Sequence, residues 1–146
     1  MIRIFQFIMM AFLLISCSNN ASETKHPLPT DISSKPFISQ EAANQAVDMA
    51  LKKEEVIRAN AINTEKQLLL AFEVKQFDRF QLQSIEKNIK KELKHEFQDM
   101  KVEVSYDPKI MLEIEKVQEK IKANEIDKQT LKKEMKRIVK LKHEKT

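Results

Sequence analysis

The chain contains one cysteine, Cys17, which directly follows a short apolar segment at the N-terminus. Leu14, Ile15 and Ser16 precede it, the order of a bacterial lipobox: an aliphatic residue, a tolerated residue, a small residue and then cysteine. In such a motif the thiol attacks a diacylglyceryl donor, and cleavage between Ser16 and Cys17 makes the lipidated cysteine the new N-terminus. We therefore predict lipidation of Cys17. Two acyl chains, palmitate among them, hold a protein stably on a membrane where one chain is marginal.

The residues before Cys17 have the features of a signal peptide. Arg3 supplies a positive charge, and residues 4–15 are apolar except for Gln6. This run is too short to span a bilayer, which takes about 20 apolar residues. We predict a signal peptide over residues 1–16 and a flexible tether over residues 17–38, which are rich in Ser, Asn and Pro. The alternative is an ordinary signal peptide with a chance cysteine.

Other chemistry is hard to place on this chain. The sequence has no Gly, which excludes phosphate-binding loops, dinucleotide fingerprints and the nucleophile elbow. His26, His95 and His143 are far apart and lack metal-ligand spacing. The carboxylates look like partners of nearby lysines on helices, as Glu113 is of Lys116. We therefore predict no catalytic residues, no metal site, no cofactor and no small-molecule substrate.

The C-terminal segment is strongly basic. Its candidate contact residues are Lys132, Lys133, Lys136, Arg137 and Lys140. One interpretation is a solvated helix face; another is contact with anionic lipid headgroups or with a partner protein. Nucleic acid is a poor match, because no aromatic residues for base stacking are interleaved with these charges.

Hydrophobic periodicity predicts the elements that position these residues. We expect helices over residues 39–51, 79–98, 108–123 and 128–141, and strands over 56–62, 68–74 and 102–106. The order indicates an α+β fold. A small three-stranded sheet is covered on one face by helices (helix-strand-strand-helix-strand, residues 39–107), and a C-terminal helical hairpin with the basic tail follows (residues 108–146). The sequence leaves open the strand order and whether the hairpin packs on the sheet.

Several polar residues are expected to begin or end these elements. Ser39, Asp78 and Asp127 are predicted to N-cap helices, and Asp107-Pro108 to open another. Asn63 is predicted to take the positive-φ position of the hairpin turn, and Asn124 to break a helix. The helix after Asp78 is expected to bury one apolar stripe, consisting of Phe80, Leu82, Ile85, Ile89, Leu93 and Phe97.

Residues 71–80 (AFEVKQFDRF), Ile85-Glu86-Lys87 and residues 101–105 (KVEVS) resemble the YhcN/YlaJ family of sporulation lipoproteins, most closely its YlaJ branch. The resemblance covers roughly residues 42–146 and is a pattern of hydrophobic and charged residues. It implies a lipoprotein of spore-forming, Bacillus-like bacteria, on the outer face of the cell membrane, in the spore inner membrane or in the forespore envelope. It supplies no catalytic residues.

Residues and resemblance together predict a non-enzymatic, membrane-anchored module that binds another envelope or spore protein. The alternative is a peripheral module that binds anionic lipid through the basic C-terminal helix.

Overall fold

A computed structural model describes residues 39–144, so the predicted signal peptide and the whole predicted tether, with Cys17, lie outside the described residues. The elements are helix α1 (Glu41–Leu51), strands β1 (Val56–Asn63) and β2 (Gln67–Val74), a 3-10 segment (Gln76–Gln81), helix α2 (Leu82–Glu96), strand β3 (Lys101–Ser105), and helices α3 (Pro108–Lys122) and α4 (Lys128–Glu144). The predicted α+β fold and element order are confirmed.

The sheet has the order β1-β2-β3, with β2 in the centre. Strands β1 and β2 form an antiparallel hairpin, and β3 runs parallel to β2. The turn is short because the Thr64 N–H donates to the Gln67 carbonyl at 2.9 Å, which leaves only Glu65 and Lys66 between them. A parallel pair needs a crossover, and α2 provides it by returning the chain from the end of β2 to the start of β3.

Helices cover both faces of this sheet, so the expectation of one covered face is wrong. Helices α1 and α2 pack on the face that carries Leu68, Leu70 and Phe72. Helices α3 and α4 pack on the opposite face, against Leu69 and Ala71. The physical reason is the central position of β2, whose two faces are both apolar and both need cover. The C-terminal hairpin therefore packs on the sheet.

Local signals set the ends of the last two helices, as predicted. The Asp107 carboxylate accepts from the Lys109 N–H at 2.8 Å, and that of Asp127 from the Thr130 N–H at 2.7 Å. Helix α3 ends at Lys122, and Asn124 follows its capping residue Ala123 with a φ of 56°, the only positive value among residues 39–144. The next N–H, from Glu125, turns back to the Lys120 carbonyl at 2.9 Å, which completes a Schellman motif.

Asn63 of the β-hairpin caps helix α1, and the predictions for Asn63 and Ser39 are therefore wrong. Asn63 has no positive φ; it is buried at the end of β1, and its Oδ1 accepts from the Ala43 N–H at 3.0 Å. The Gln40 amide also bonds both the N–H and the carbonyl of Asn63, at 3.0 and 2.9 Å. Ser39 lies one residue before the helix-capping position, which Gln40 occupies without a side-chain cap bond of its own.

The segment after β2 differs most from its prediction. Residues 76–81 form a 3-10 helix with Asp78 inside it, so α2 begins at Leu82 with Gln81 at its capping position. Phe80 leaves the predicted stripe and is 82% exposed, whereas Ile85, Ile89 and Leu93 are buried as expected. The spacing explains this result: five residues separate Phe80 from Ile85, which places them about 140° apart on an α-helix.

Candidate interaction surfaces

Side-chain amides occupy part of the free edge of β1. Because Thr64 pairs with Gln67, alternation along the hairpin turns the backbone groups of Asn63 and Ala61 away from β2. The Gln40 side-chain amide forms hydrogen bonds with the N–H and the carbonyl of Asn63, and the Gln118 side chain of α3 donates to the Ala61 carbonyl at 2.9 Å. These backbone groups of β1 are therefore already hydrogen-bonded and do not pair with an added strand.

A cluster of charges covers the edge of β3. Glu103 is buried there and accepts from Lys90 of α2 at 3.0 Å and from Lys142 of α4 at 3.1 Å. Lys142 also lies 3.7 Å from Glu86 of α2. Burial raises the pKa of Glu103, but the hydrogen bonds from the two lysines outweigh it and hold the pKa below its ordinary value. These ion pairs join α2 to α4 across the edge of β3. The charged side chains disfavour the addition of another strand at that edge.

The domain has two ends along the strands. We call the end formed by Ser39, the turn Glu65-Lys66 and the start of α4 the hairpin pole; Lys128 pairs with Glu65 there at 3.0 Å. We call the opposite end, formed by the end of β2, the 3-10 segment and the start of α3, the aromatic pole. The seven residues of β2 between the poles, Leu68 to Val74, span roughly 20 Å. The described chain starts at the hairpin pole, because Asn63 donates to the Ser39 carbonyl at 3.2 Å.

The aromatic pole exposes two phenylalanine rings. Phe77 is 86% exposed and Phe80 is 82% exposed. Both lie in the 3-10 segment, where residues three apart eclipse each other, so the two side chains share one face. Phe80 belongs to the predicted apolar stripe, and Phe77 lies outside it. The spacing of Phe80 already signalled its exposure, since on a continuous helix it lies about 140° from Ile85 and about 180° from Ile89.

An apolar groove of about 420 Å³ lies at the same pole. Its floor contains Phe72 and Tyr106, whose rings meet edge to face with centroids 6.4 Å apart. Ile57 lines it from a β-bulge between Val56 and Arg58 and is 57% exposed. The remaining lining residues are Glu73, Val74, Arg79, Leu82 and Pro108. The bulge matters because an inserted residue re-aims a side chain, here toward the groove.

The charges around this groove are unequally paired. Glu73 lies 3.5 Å from Arg58, which also pairs with Glu115 of α3. Arg79 lines the groove and Lys109 follows Pro108, and both are exposed. Within residues 39–144, neither of these two cations has a carboxylate oxygen within 4 Å in an ion pair. The groove therefore combines apolar walls with a cationic border.

The predicted basic residues of α4 divide into two groups. Arg137 bonds Glu113 and Glu134, and Lys140 lies 3.6 Å from Glu144. Lys132, Lys133 and Lys136 are exposed and take part in none of the ion pairs formed by the described residues. These three lysines lie on the outer face of the helix, away from its buried stripe of Leu131, Met135 and Ile138.

Glu113, on helix α3, is the carboxylate of the C-terminal helical hairpin whose pKa is shifted most. Hydrogen bonds from Lys116 and then from Arg137 lower its pKa from 4.5 to about 2. The predicted pairing with Lys116 is confirmed at 2.8 Å. The Arg137 contact adds a link between α3 and α4, so this carboxylate joins the two helices.

Two further properties apply to the described part of the chain. Within residues 39–144, no cluster of three or more His, Cys, Asp or Glu side chains is arranged to hold a metal ion. Within the same residues, no helix has the length and apolar character needed to cross a bilayer.

A comparison with known protein families identifies the family of this chain. The model of the sporulation lipoprotein family YhcN/YlaJ matches residues 18–139, which include every strand of the sheet and most of α4. No curated protein and no solved structure matches the chain significantly. With a match over most of its length, the chain belongs to the YhcN/YlaJ family of sporulation lipoproteins.

Proposed function

We propose that this sporulation lipoprotein is a non-enzymatic, membrane-anchored module that binds another envelope or spore protein through its aromatic pole. The observation that supports the proposal is the exposure of Phe77 and Phe80, at 86% and 82%, beside an apolar groove. Aromatic side chains dominate the energetics of protein interfaces, and a contiguous exposed apolar surface marks an interaction site. Covering both rings gives a partner a large area of apolar contact.

The position of this surface also supports a protein partner. The proposed anchor, lipid on Cys17 after cleavage behind Ser16, is joined to the domain through Ser39 at the hairpin pole. The aromatic pole lies at the other end of the domain, so the point at which the tether joins the domain does not cover it. Both sheet edges are partly occupied by side chains, by Gln40 and Gln118 at β1 and by Lys90 and Lys142 at β3. Strand addition is therefore a poorer route to a partner than the aromatic pole.

Site-specific photo-crosslinking tests this function. We would place benzoylphenylalanine at position 77 of the full chain in sporulating cells, with position 129, where Gln129 is exposed on α4, as the matched control. We expect a discrete protein adduct from position 77 and none from position 129. The Phe80→Asp substitution should remove the adduct while the protein remains folded. Exclusively lipid adducts at position 77, or protein adducts of equal yield at both positions, would contradict the proposal.

A second candidate function is contact with anionic lipid headgroups, which the three unpaired lysines of α4 favour. At about 1 kcal/mol for each lysine near a membrane surface, Lys132, Lys133 and Lys136 together contribute about 3 kcal/mol, which is roughly 150-fold in affinity. The test is sedimentation of the mature chain carrying Cys17→Ser with phosphatidylglycerol vesicles.

The matched control for that test replaces three other exposed lysines, Lys87, Lys91 and Lys94 of α2, by glutamine. Replacing the three α4 lysines by glutamine should abolish vesicle binding, and the control should retain it. Equal losses would mean that only net charge matters.

A further inference from the structure

We infer that the partner offers the aromatic pole an acidic amphipathic segment, in which an apolar side chain that enters the groove is flanked by carboxylates. This inference rests on the proposed function and specifies the chemistry of the partner. It follows from the shape, the lining and the charges of the groove.

The size and lining of the groove suit an apolar side chain of the partner, which we call its anchor. Its volume of about 420 Å³ lies in the lower part of the range for binding pockets, about 300–1,000 Å³. The walls formed by Ile57, Val74 and Leu82 offer no hydrogen-bonding side chain, and the exposed rings of Phe77 and Phe80 extend the apolar surface. Protein interfaces concentrate their binding energy in a few aromatic or aliphatic anchors that fill such pockets.

The border of the groove selects negative charge. Arg79 and Lys109 have no ion-pair partner within residues 39–144, whereas the acidic Glu73 beside them is held by Arg58 at 3.5 Å. Acidic groups are also present at this pole: Asp78 lies in the 3-10 segment, and the Asp107 carboxylate accepts from the Lys109 N–H at 2.8 Å. The positive charge next to the groove is that of Arg79, which lines it, and of Lys109, which follows the lining residue Pro108. Carboxylates of the partner should flank its anchor beside Arg79.

An anionic bilayer combines the same two chemistries, apolar and negative. A concave groove, however, is filled by a protruding side chain and not by a smooth surface, and this pole lies opposite Ser39. These two observations favour a protein segment, and the membrane becomes one outcome of the test.

The test is a selection of random 12-residue displayed peptides on the mature chain carrying Cys17→Ser, with the Phe77→Ala variant for counter-selection. We expect the enriched peptides to combine an aromatic or aliphatic residue with flanking Asp or Glu. For one such peptide, Arg79→Gln with Lys109→Gln should weaken binding about fivefold, the effect of two exposed charge contacts. The matched control, Lys87→Gln with Lys91→Gln on α2, should leave binding unchanged. A version of the peptide with Asn and Gln in place of its acids should be insensitive to the first pair.

Three results would overturn the inference. Enrichment of neutral or basic peptides, or equal binding by the two charge variants, would remove the acidic partner, while an adduct from position 77 would still uphold the proposed function. A selection that yields no Phe77-dependent peptide would overturn the inference as well. If Phe77→Ala instead abolishes binding to phosphatidylglycerol vesicles and position 77 gives only lipid adducts, both the inference and the proposed function fail.

Discussion

Replacing Asn63 by alanine should destabilise the domain more than any other single asparagine substitution, because this side chain joins the hairpin to the start of α1. Its Oδ1 accepts from the Ala43 N–H at 3.0 Å, and its Nδ2 donates to the carbonyls of Ser39 and Thr64, each at 3.2 Å. Asn63 is 7% exposed, so water cannot readily replace these bonds.

The magnitude follows from the bonds that are lost. Loss of a helix-capping acceptor costs about 0.5–2 kcal/mol, and each of the two lost donor bonds about 0.5–1.5 kcal/mol. The sum is about 3 kcal/mol. At about 4 °C for each kcal/mol in a domain of this size, Tm should fall by about 12 °C. Asn63→Asp keeps the acceptor for Ala43 and loses both donors, about 2 of the 3 kcal/mol, so it should be about two-thirds as destabilising.

Urea unfolding of the mature chain carrying Cys17→Ser, followed by circular dichroism, measures these differences at constant m-value. The matched control is Asn44→Ala, since Asn44 is exposed on the same helix. Its change should stay within about 0.5 kcal/mol of the parent. If Asn63→Ala is no more destabilising than Asn44→Ala, the hairpin does not cap α1 and the reasoning is refuted.

Three further predictions concern the hairpin and the sheet edge. The folded-state pKa of Glu113 is lowered from 4.5 to about 2, so the stabilising effect of this carboxylate is complete above pH 4.5 and is lost as the pH falls toward 2. Glu113→Gln should therefore flatten the decline of Tm between pH 4.5 and pH 2. The control, Glu119→Gln at an exposed position, should leave that decline unchanged. Asn124→Gly should preserve or slightly raise Tm, whereas Asn124→Val should lower the free energy of unfolding by about 1 kcal/mol, because φ is 56° there; equal effects would contradict the helix-ending role. Glu103→Gln should cost about 2 kcal/mol in urea unfolding, because Lys90 and Lys142 lose their shared carboxylate; an unchanged midpoint would show that the edge cluster adds no stability.

Where neighbouring residues decide a feature, the sequence alone predicted it. Asp107, Asn124 and Asp127 act on backbone groups one to four residues away, and the structure confirms all three. The β-hairpin and the α+β order were predicted for the same reason, since alternation and helical periodicity are local patterns. The resemblance around residues 71–80 and 101–105 indicated the family that the match to residues 18–139 confirms.

What only the tertiary structure decided depends on contacts between residues far apart in the chain. The local sequence predicts a turn residue at Asn63, because nothing local shows that Ala43, 20 residues earlier, lies against its side chain. The sequence also predicts one group of basic residues on α4, because the partners of Arg137 on α3 and of Lys142 on β3 are remote in sequence. The sequence by itself determined the fold class, both ends of α3, the start of α4 and the predicted lipidation of Cys17. Packing of helices on both faces of β2, and the start of α2 only at Leu82, left Phe77 and Phe80 in solvent, because exposure is a property of the assembled layers and not of any single segment.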